Sequence, residues 1–459
     1  MATPSRVMGV PDSNDGTAAG DSRRSARSGE SAAGTGDGTR RQLYALYLTR
    51  FAAGFGLMTL VTLLPTYVNR FDPSGLVLGL FVSAVTIAKT GAIVPIAWAG
   101  DRYDKRQVLL GGIGLGVGVY AAFAFVASSL GFIGVRALQG VTLVATGLLS
   151  TALVGQLAPA DERAGAIGKA NAWRLAAGIV GALAAGQLYE YAGFSAVYAV
   201  VVTLMFAAVC AVTLFVDRDP TRVGGFPFSD LAFNRRILTL TAFRAPYAFS
   251  VEVVRAWVPI YAGAAAATGG LAYGAVAVSA VVTAERATNM LVQPFAGRLS
   301  DRVGRAAFVF AGGGAYGLIA FLVPLSPRIG EAVSVPATLG TLEAAGVPAG
   351  AAVAALGPGF LPLVALSGLL GVADAFREPA SMALFADEGT SDGGVASSFG
   401  IRELVWRPGS VAGPMIAGVL TDYSMAYAFY FGGAFAVAGA VLFLAALWRV
   451  HGRSALSSW

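Results

Sequence analysis

Polar and apolar residues are arranged along this chain in long blocks, not in the short periods of amphipathic helices or strands. From about residue 44 onward, apolar blocks follow one another, each closed by a short cluster of charges or by proline and glycine. Such blocks match the ~20 residues that a helix needs to cross ~30 Å of hydrocarbon. The pattern predicts twelve spans, at 44–69, 74–99, 108–128, 131–158, 167–190, 194–216, 236–262, 271–296, 306–326, 358–385, 397–420 and 426–449. The expected fold is an all-α membrane protein of twelve transmembrane helices in two six-helix halves, 42–216 and 236–450. A polar linker at 217–235 joins them, and a short tail follows at 451–459. Residues 1–41 are mostly Ser, Gly, Ala, Asp and Arg, a composition that buries too little surface to offset ordering and predicts disorder. No early apolar run marks this segment as a signal peptide.

Composition agrees with the pattern. Hydrophobic residues make up 56% of the 459 and charged residues 13%, too little charge to coat a soluble fold. The single cysteine, Cys210, rules out an intrachain disulfide or a cysteine zinc cluster, and the single histidine, His451, lies beyond the last span. No metal, no cofactor and no enzymatic activity are expected. Gly168-Lys169 is followed by Ala170 and does not complete a nucleotide-binding P-loop. The net charge of +6 is spread along the chain, which fits a membrane surface and not nucleic acid. With the N-terminus inside, nineteen Lys and Arg fall in cytoplasmic segments and two, Arg70 and Arg328, outside. The positive-inside rule then predicts a multi-pass protein of the cell membrane with both termini cytoplasmic and the long 327–357 loop extracellular.

The two halves repeat each other. Gly100-Asp101-Arg102-Tyr103-Asp104-Lys105-Arg106 follows the second span, and Gly297-Arg298-Leu299-Ser300-Asp301-Arg302-Val303-Gly304-Arg305 follows the eighth. Trp173-Arg174 and Trp406-Arg407 each precede a small-residue stripe in spans 5 and 11, Gly178-x-x-x-Ala182-x-x-x-Gly186 and Gly409-x-x-x-Gly413-x-x-x-Ala417. Such stripes let helix backbones approach closely, for tight packing or for sliding between halves. On these residues, and on Arg136-Ala137-Leu138-Gln139-Gly140 in span 4, the chain resembles the major facilitator superfamily over about 43–450. The second loop matches that family's Gly-x-x-x-Asp-Arg-x-Gly-Arg motif. The first departs from it, with Ala97 and Asp104 at the glycine positions. The resemblance implies a cytoplasmic gate built from Asp101, Arg102, Lys105, Gly297, Asp301, Arg302, Gly304 and Arg305. In it Asp101 faces the start of span 11 near 397–400 and Asp301 the start of span 5 when the protein faces outward. The alternative is that these basic residues only set topology.

Eleven basic residues fall inside spans: Arg50, Lys89, Arg136, Lys169, Arg174, Arg244, Arg255, Arg286, Arg377, Arg402 and Arg407. Each costs a few kcal/mol in hydrocarbon unless it meets a partner or water. A water-filled cavity between the halves accounts for them. Arg50, Lys169, Arg402, Glu403, Arg174 and Arg407 lie near cytoplasmic span ends, where snorkelling or gate contacts suffice. Lys89, Arg136, Glu252, Arg255, Glu285, Arg286, Asp374, Arg377 and Glu378 lie deeper and are the candidates for solute binding and coupling. Asp374 reaches Arg377 and Glu252 reaches Arg255 at i+3. Lys89 and Arg136 have no deep acid in their own half, so they either pair across the cavity or await an anion. Among the carboxylates, Asp374 and Glu285 best fit a proton carrier, followed by Glu252 and Glu378.

The expected function is secondary transport of a small organic solute, leaning anionic, by alternating access, with protons as the coupling ion, the lipid bilayer as surroundings and a monomer as the working unit. A proton-coupled multidrug exporter is the second reading, and a polytopic membrane enzyme a remote one.

Overall fold

The protein is described by a computed structural model that covers residues 18–159, 162–219, 235–333, 353, 355–392, 395–452 and 454–458. Every long element is a helix: α1 Ala18–Phe71, α2 Gly75–Arg102, α3 Lys105–Phe123, α4 Ser129–Leu157, α5 Arg163–Phe215, α6 Arg235–Gly263, α7 Ala275–Val303, α8 Arg305–Leu322, α9 Ser326–Ala332, α10 Phe360–Asp392, α11 Val395–Thr421, α12 Met425–His451 and α13 Ala455–Ser458. Ten of the described helices are long and apolar enough to cross a membrane. The 53-residue α5 is broken at Gly193, whose φ of 70° and ψ of −169° lie outside the helical region, at the gap predicted between spans 5 and 6. Its two arms coincide with the fifth and sixth predicted spans. The 27 residues of α11 are long enough for another, but Arg402, Glu403 and Arg407 lower its hydropathy. With these, the twelve predicted spans each have a helix.

Boundaries follow local chemistry. Asp104 caps α3 by accepting from the Arg106 backbone N–H at 3.0 Å, and Ser128 caps α4 by accepting from that of Gly131 at 3.1 Å. Gly304 starts α8 with a φ of 122°, a conformation that a residue with a Cβ rarely adopts. The first helix reaches into the 1–41 segment whose composition predicts disorder. That stretch continues α1 and so needs no new nucleus, although Gly20, Gly29, Gly34, Gly36 and Gly38 within it are poor helix formers. Most of the linker, 220–234, and of the long loop, 334–352, lies outside the described residues.

Each half packs as its own bundle. α1 lies along α5, while α4 packs on α2 and α3; in the second half α10 packs on α7 and α8, and α12 on α6 and α8. Phe206, Leu214, Leu318, Val441 and Leu442 remain exposed, as lipid-facing side chains do. The halves meet through α2 on α11, α5 on α7 and α1 on α6. The first two contacts are equivalent under the repeat, since span 2 corresponds to span 8 and span 5 to span 11.

The α2–α11 contact is closest at one end, where a Cβ on Gly75 would sit 2.1 Å from the Gly418 carbonyl and one on Gly79 2.7 Å from that of Pro414. Hydrogen bonds between halves gather at the same end. The Gly75 N–H donates to Asp422 at 2.8 Å, the Asn69 amide donates to the Gly263 carbonyl at 2.8 Å, and the Val276 N–H donates to Glu190 at 2.9 Å. The small-residue stripes divide their contacts. Gly178 packs on Met58, and Gly409 and Gly413 on Ala248 and Phe249, each inside its own half; Gly186 meets Ala275 of the other half.

Candidate solute cavity and charge network

A cavity of about 700 Å³ lies between the halves. Asn171, Arg174 and Leu175 of α5 line one wall, and residues of α6, α7, α10 and α11 the other. Gly297, next to the Asp301 turn, and Glu403, whose side chain is 49% exposed, belong to its lining. The cavity therefore opens toward the end that holds the Asp101 and Asp301 turns, opposite the closed α2–α11 end. Its lining includes six arginines, Arg174, Arg244, Arg255, Arg286, Arg377 and Arg402, against three acids, Asp374, Glu378 and Glu403.

Most of these charges form one chain of ion pairs. Arg255 of α6 reaches Glu285 of α7 at 2.7 Å and Asp374 of α10 at 2.6 Å. Asp374 also accepts from Arg377 at 2.7 and 3.0 Å, from the Tyr247 hydroxyl at 3.1 Å and from the Asn289 amide at 3.3 Å. Arg377 continues to Glu378, and Glu378 accepts from Arg402 at 2.8 Å. Arg402 and Arg244 approach Glu403 at 3.1 and 3.5 Å. Arg377 stacks 4.4 Å over the Tyr247 ring and Arg244 4.4 Å over that of Trp406. Buried guanidinium groups are held here by carboxylates and by ring faces, as a low-dielectric site requires.

Glu252 stands apart from this chain. Its carboxylate accepts from the Trp406 indole N–H at 3.1 Å, and among the described residues no cation lies within ion-pair distance of it. The expected i+3 pair with Arg255 is not made, because Arg255 turns to α7 and α10 while Glu252 turns to α11. Lys89 is close by in register. α2 and α11 run antiparallel with Gly75 against Gly418, Gly79 against Pro414, and the Ser83 hydroxyl donating to the Val411 carbonyl at 3.0 Å. The same register sets Lys89 level with Leu404 and Val405, next to Trp406. Lys89 itself makes no ion pair among the described residues.

Arg136, the other deep cation of the first half, is not in the cavity. Only 3% exposed, it donates to the Phe81 carbonyl at 3.0 Å and to Gln139 at 2.8 Å. The Gln139 amide in turn donates to the Tyr120 hydroxyl at 2.9 Å, so Arg136 ties α4 to α2 and α3.

Arg286 and two residues that depth alone assigned to span ends come together instead. Arg50 of α1, Arg174 of α5 and Arg286 of α7 line a recess of about 90 Å³ with Met58, Leu143 and Met290. No carboxylate lines this recess. A sequence signal existed: Arg50 precedes Gly54 by four residues and Arg174 precedes Gly178 by four, which puts each arginine on the small-residue face that packs inward. Gly54 does meet the Arg174 backbone, its Cβ position lying 2.5 Å from that carbonyl.

The residues expected to form a gate lie at the open end. Lys105 pairs with Asp219 at 2.7 Å, and the Asp219 N–H donates to Asp104 at 3.1 Å, which anchors the start of the linker to the first turn. Asp301 pairs with Arg305 at 2.8 Å, and Arg305 also pairs with Asp387 of α10. Arg102 lies 5.5 Å over the Trp98 ring. Asp101 and Arg302 have no polar partner among the described residues, and Gly297 packs by Pro379. The side chains near 397–400, expected opposite Asp101, lie outside the described residues.

Comparison with known proteins gives the same picture. A family model of the Major Facilitator Superfamily matches residues 46–356. The MFS-type transporter ppzB of Metarhizium rileyi is 29% identical over 154 residues, 33% of this chain and 32% of that protein. The Staphyloferrin B transporter of Staphylococcus aureus is 30% identical over 175 residues, 36% of this chain and 41% of that protein. The chain thus spans less than half the length of either relative. Among solved structures, the nucleoside transporter NupG superposes with a TM-score of 0.68 at 14% identity, over 88% of this chain and 99% of that one. A bacterial homolog of the human lysosomal transporter Spinster, inward-facing and unoccupied, does so with a TM-score of 0.59 at 14% identity, over 89% and 95%. At these identities the likeness is one of fold.

Proposed function

This chain belongs to the major facilitator superfamily, and on that premise we propose that it is a proton-coupled secondary transporter of a small organic anion, working by alternating access. The observation that supports the choice of solute is the cavity lining, six arginines against three acids. Water-filled cavities focus the field of their walls, so a net positive lining concentrates anions and repels cations. That argues against a cationic-drug exporter, as does Arg50 in the first span, where an acid would serve a cation better.

The membrane is the cell membrane, the termini and both Asp-Arg turns face the cytoplasm, and the described state is then open to the inside. Glu252 is the preferred proton carrier over Asp374 and Glu285. Those two are already held by Arg255, whereas Glu252 is held by a neutral indole donor and can exchange a proton without breaking an ion pair. Its position beside Trp406, next to the level of Lys89 of the other half, links its charge to the approach of the two halves.

Proteoliposomes under an imposed pH difference test the proposal. Labelled organic anions, organic cations and neutral sugars are offered in turn. Accumulation of anions alone is expected, while accumulation of cations or sugars to the same level contradicts the choice of solute.

A further inference from the structure

The recess between Arg50, Arg174 and Arg286 has a charge balance unlike the rest of the cavity. Elsewhere each arginine of the wall meets a carboxylate: Arg255, Arg377, Arg402 and Arg244 are all paired. In the recess the acceptors are neutral and few. Arg50 donates to the Gly147 carbonyl at 3.2 Å and to Asn171 at 3.0 Å, and Arg174 makes a long 3.5 Å contact to the same Asn171 oxygen. One amide oxygen thus touches both guanidinium groups. Arg286 makes no hydrogen bond or ion pair among the described residues, and its Nε and that of Arg50 are buried without an acceptor. Three guanidinium groups offer about fifteen N–H donors; three have a protein acceptor. Buried donors left in that condition are costly.

We propose that this recess is the head-group pocket for the carboxylate of the transported anion. Its size fits that assignment. About 90 Å³ is roughly three times the ~30 Å³ share of one water, enough for a carboxylate and a carbon or two. The walls beyond the arginines, Leu57, Met58, Leu143 and Met290, are apolar and suit the first carbons of an organic acid. Arg174, Leu175, Arg286 and Asn289 line both the recess and the larger cavity, so the rest of the solute extends from one into the other. Planar guanidinium groups match a carboxylate with paired N–H donors. Arg50 and Arg174 belong to the first half and Arg286 to the second, so a bound carboxylate draws the halves together around itself. Carboxylate binding then couples to closure through the differential affinity that any such change needs.

This assignment rests on the anion reading above, and the test separates the two. Purified full-length protein in detergent is titrated with butanoate and benzoate, with butanamide and benzamide as neutral counterparts and butylamine as the cation, and its thermal midpoint is followed. The acids are expected to raise the midpoint and the amides and amine to leave it. In Arg286→Gln and Arg50→Gln the half-saturating concentration of the acids should rise about tenfold or more, as expected for losing a charged hydrogen bond. Arg286→Lys, which keeps the charge, should fall between, and Arg328→Gln, exposed at the other end, should match the wild type. Acids that stabilise Arg286→Gln and Arg50→Gln as readily as the wild type overturn the pocket and leave the anion reading standing. A wild type that no acid shifts, or that the amine shifts instead, overturns both.

Discussion

Glu252 and Asp374 are both carboxylates deep in the second half, and their neighbours differ. Asp374 receives five hydrogen bonds from four side chains, filling the roughly four acceptor positions of a carboxylate. Asp374→Asn leaves Arg255 and Arg377 short of a counter-charge, and breaking one member of a buried ionic network costs on the order of 3 kcal/mol. The expected result is a lower thermal midpoint and poor yield of folded protein, read by thermal unfolding in detergent. Glu252→Gln removes a titratable group and keeps a hydrogen-bond acceptor for Trp406. Solute exchange at equal concentrations should stay near the wild-type rate, while uphill accumulation under a pH gradient should fall by about tenfold or more, the size of a lost coupling. Accumulation at the wild-type level would remove Glu252 as the proton carrier.

At the scale of the helix, the spans were legible because a membrane asks only for length and low polarity, and the sequence shows both in blocks. Gly193 was legible as a break for the same reason, since it falls between two such blocks. Which way a side chain faces was less legible. Depth along a span gave Arg50 and Arg174 snorkelling or gate contacts, whereas the structure brings both into the lining of one recess. Their spacing to Gly54 and Gly178 was the better guide. Arg136 shows the opposite case: its depth suggested a solute ligand, and Gln139 three residues on gave it a neutral partner inside the bundle. The Asp301 turn can be tested at this scale. Gly304→Ala forces a Cβ into a φ of 122° and should cost about 1 kcal/mol or more, seen as a lower thermal midpoint. Gly418→Val should hold α2 off α11, because its Cβ position lies 2.1 Å from the Gly75 carbonyl. With Cys210 replaced by Ala and Leu78 by Cys, a membrane-impermeant thiol reagent should then label the buried position 78 faster than in the Gly418 background; equal rates would mean that the contact does not seal that end.

For the whole molecule, two bundles closed at one end and open at the other are the form that the proposed alternating access requires at one limit of its cycle. The contacts α2 on α11 and α5 on α7 are equivalent under the repeat, as a rocking of one half against the other requires. Among the described residues Asp101 has no polar partner, and the side chains near 397–400 expected opposite it lie outside them. If the recess between the halves binds the anion and Glu252 carries the proton, as proposed, solute and proton both act on the same motion. Proteoliposomes loaded with a pH-sensitive dye measure that link directly. Pools of organic anions, organic cations and neutral sugars are added separately, with protein-free liposomes as the control. A protein-dependent pH change with the anion pool, absent with the other two, is the predicted result. Anion uptake with no pH change, or a pH change with cations or sugars alone, would contradict a proton-coupled transporter of organic anions.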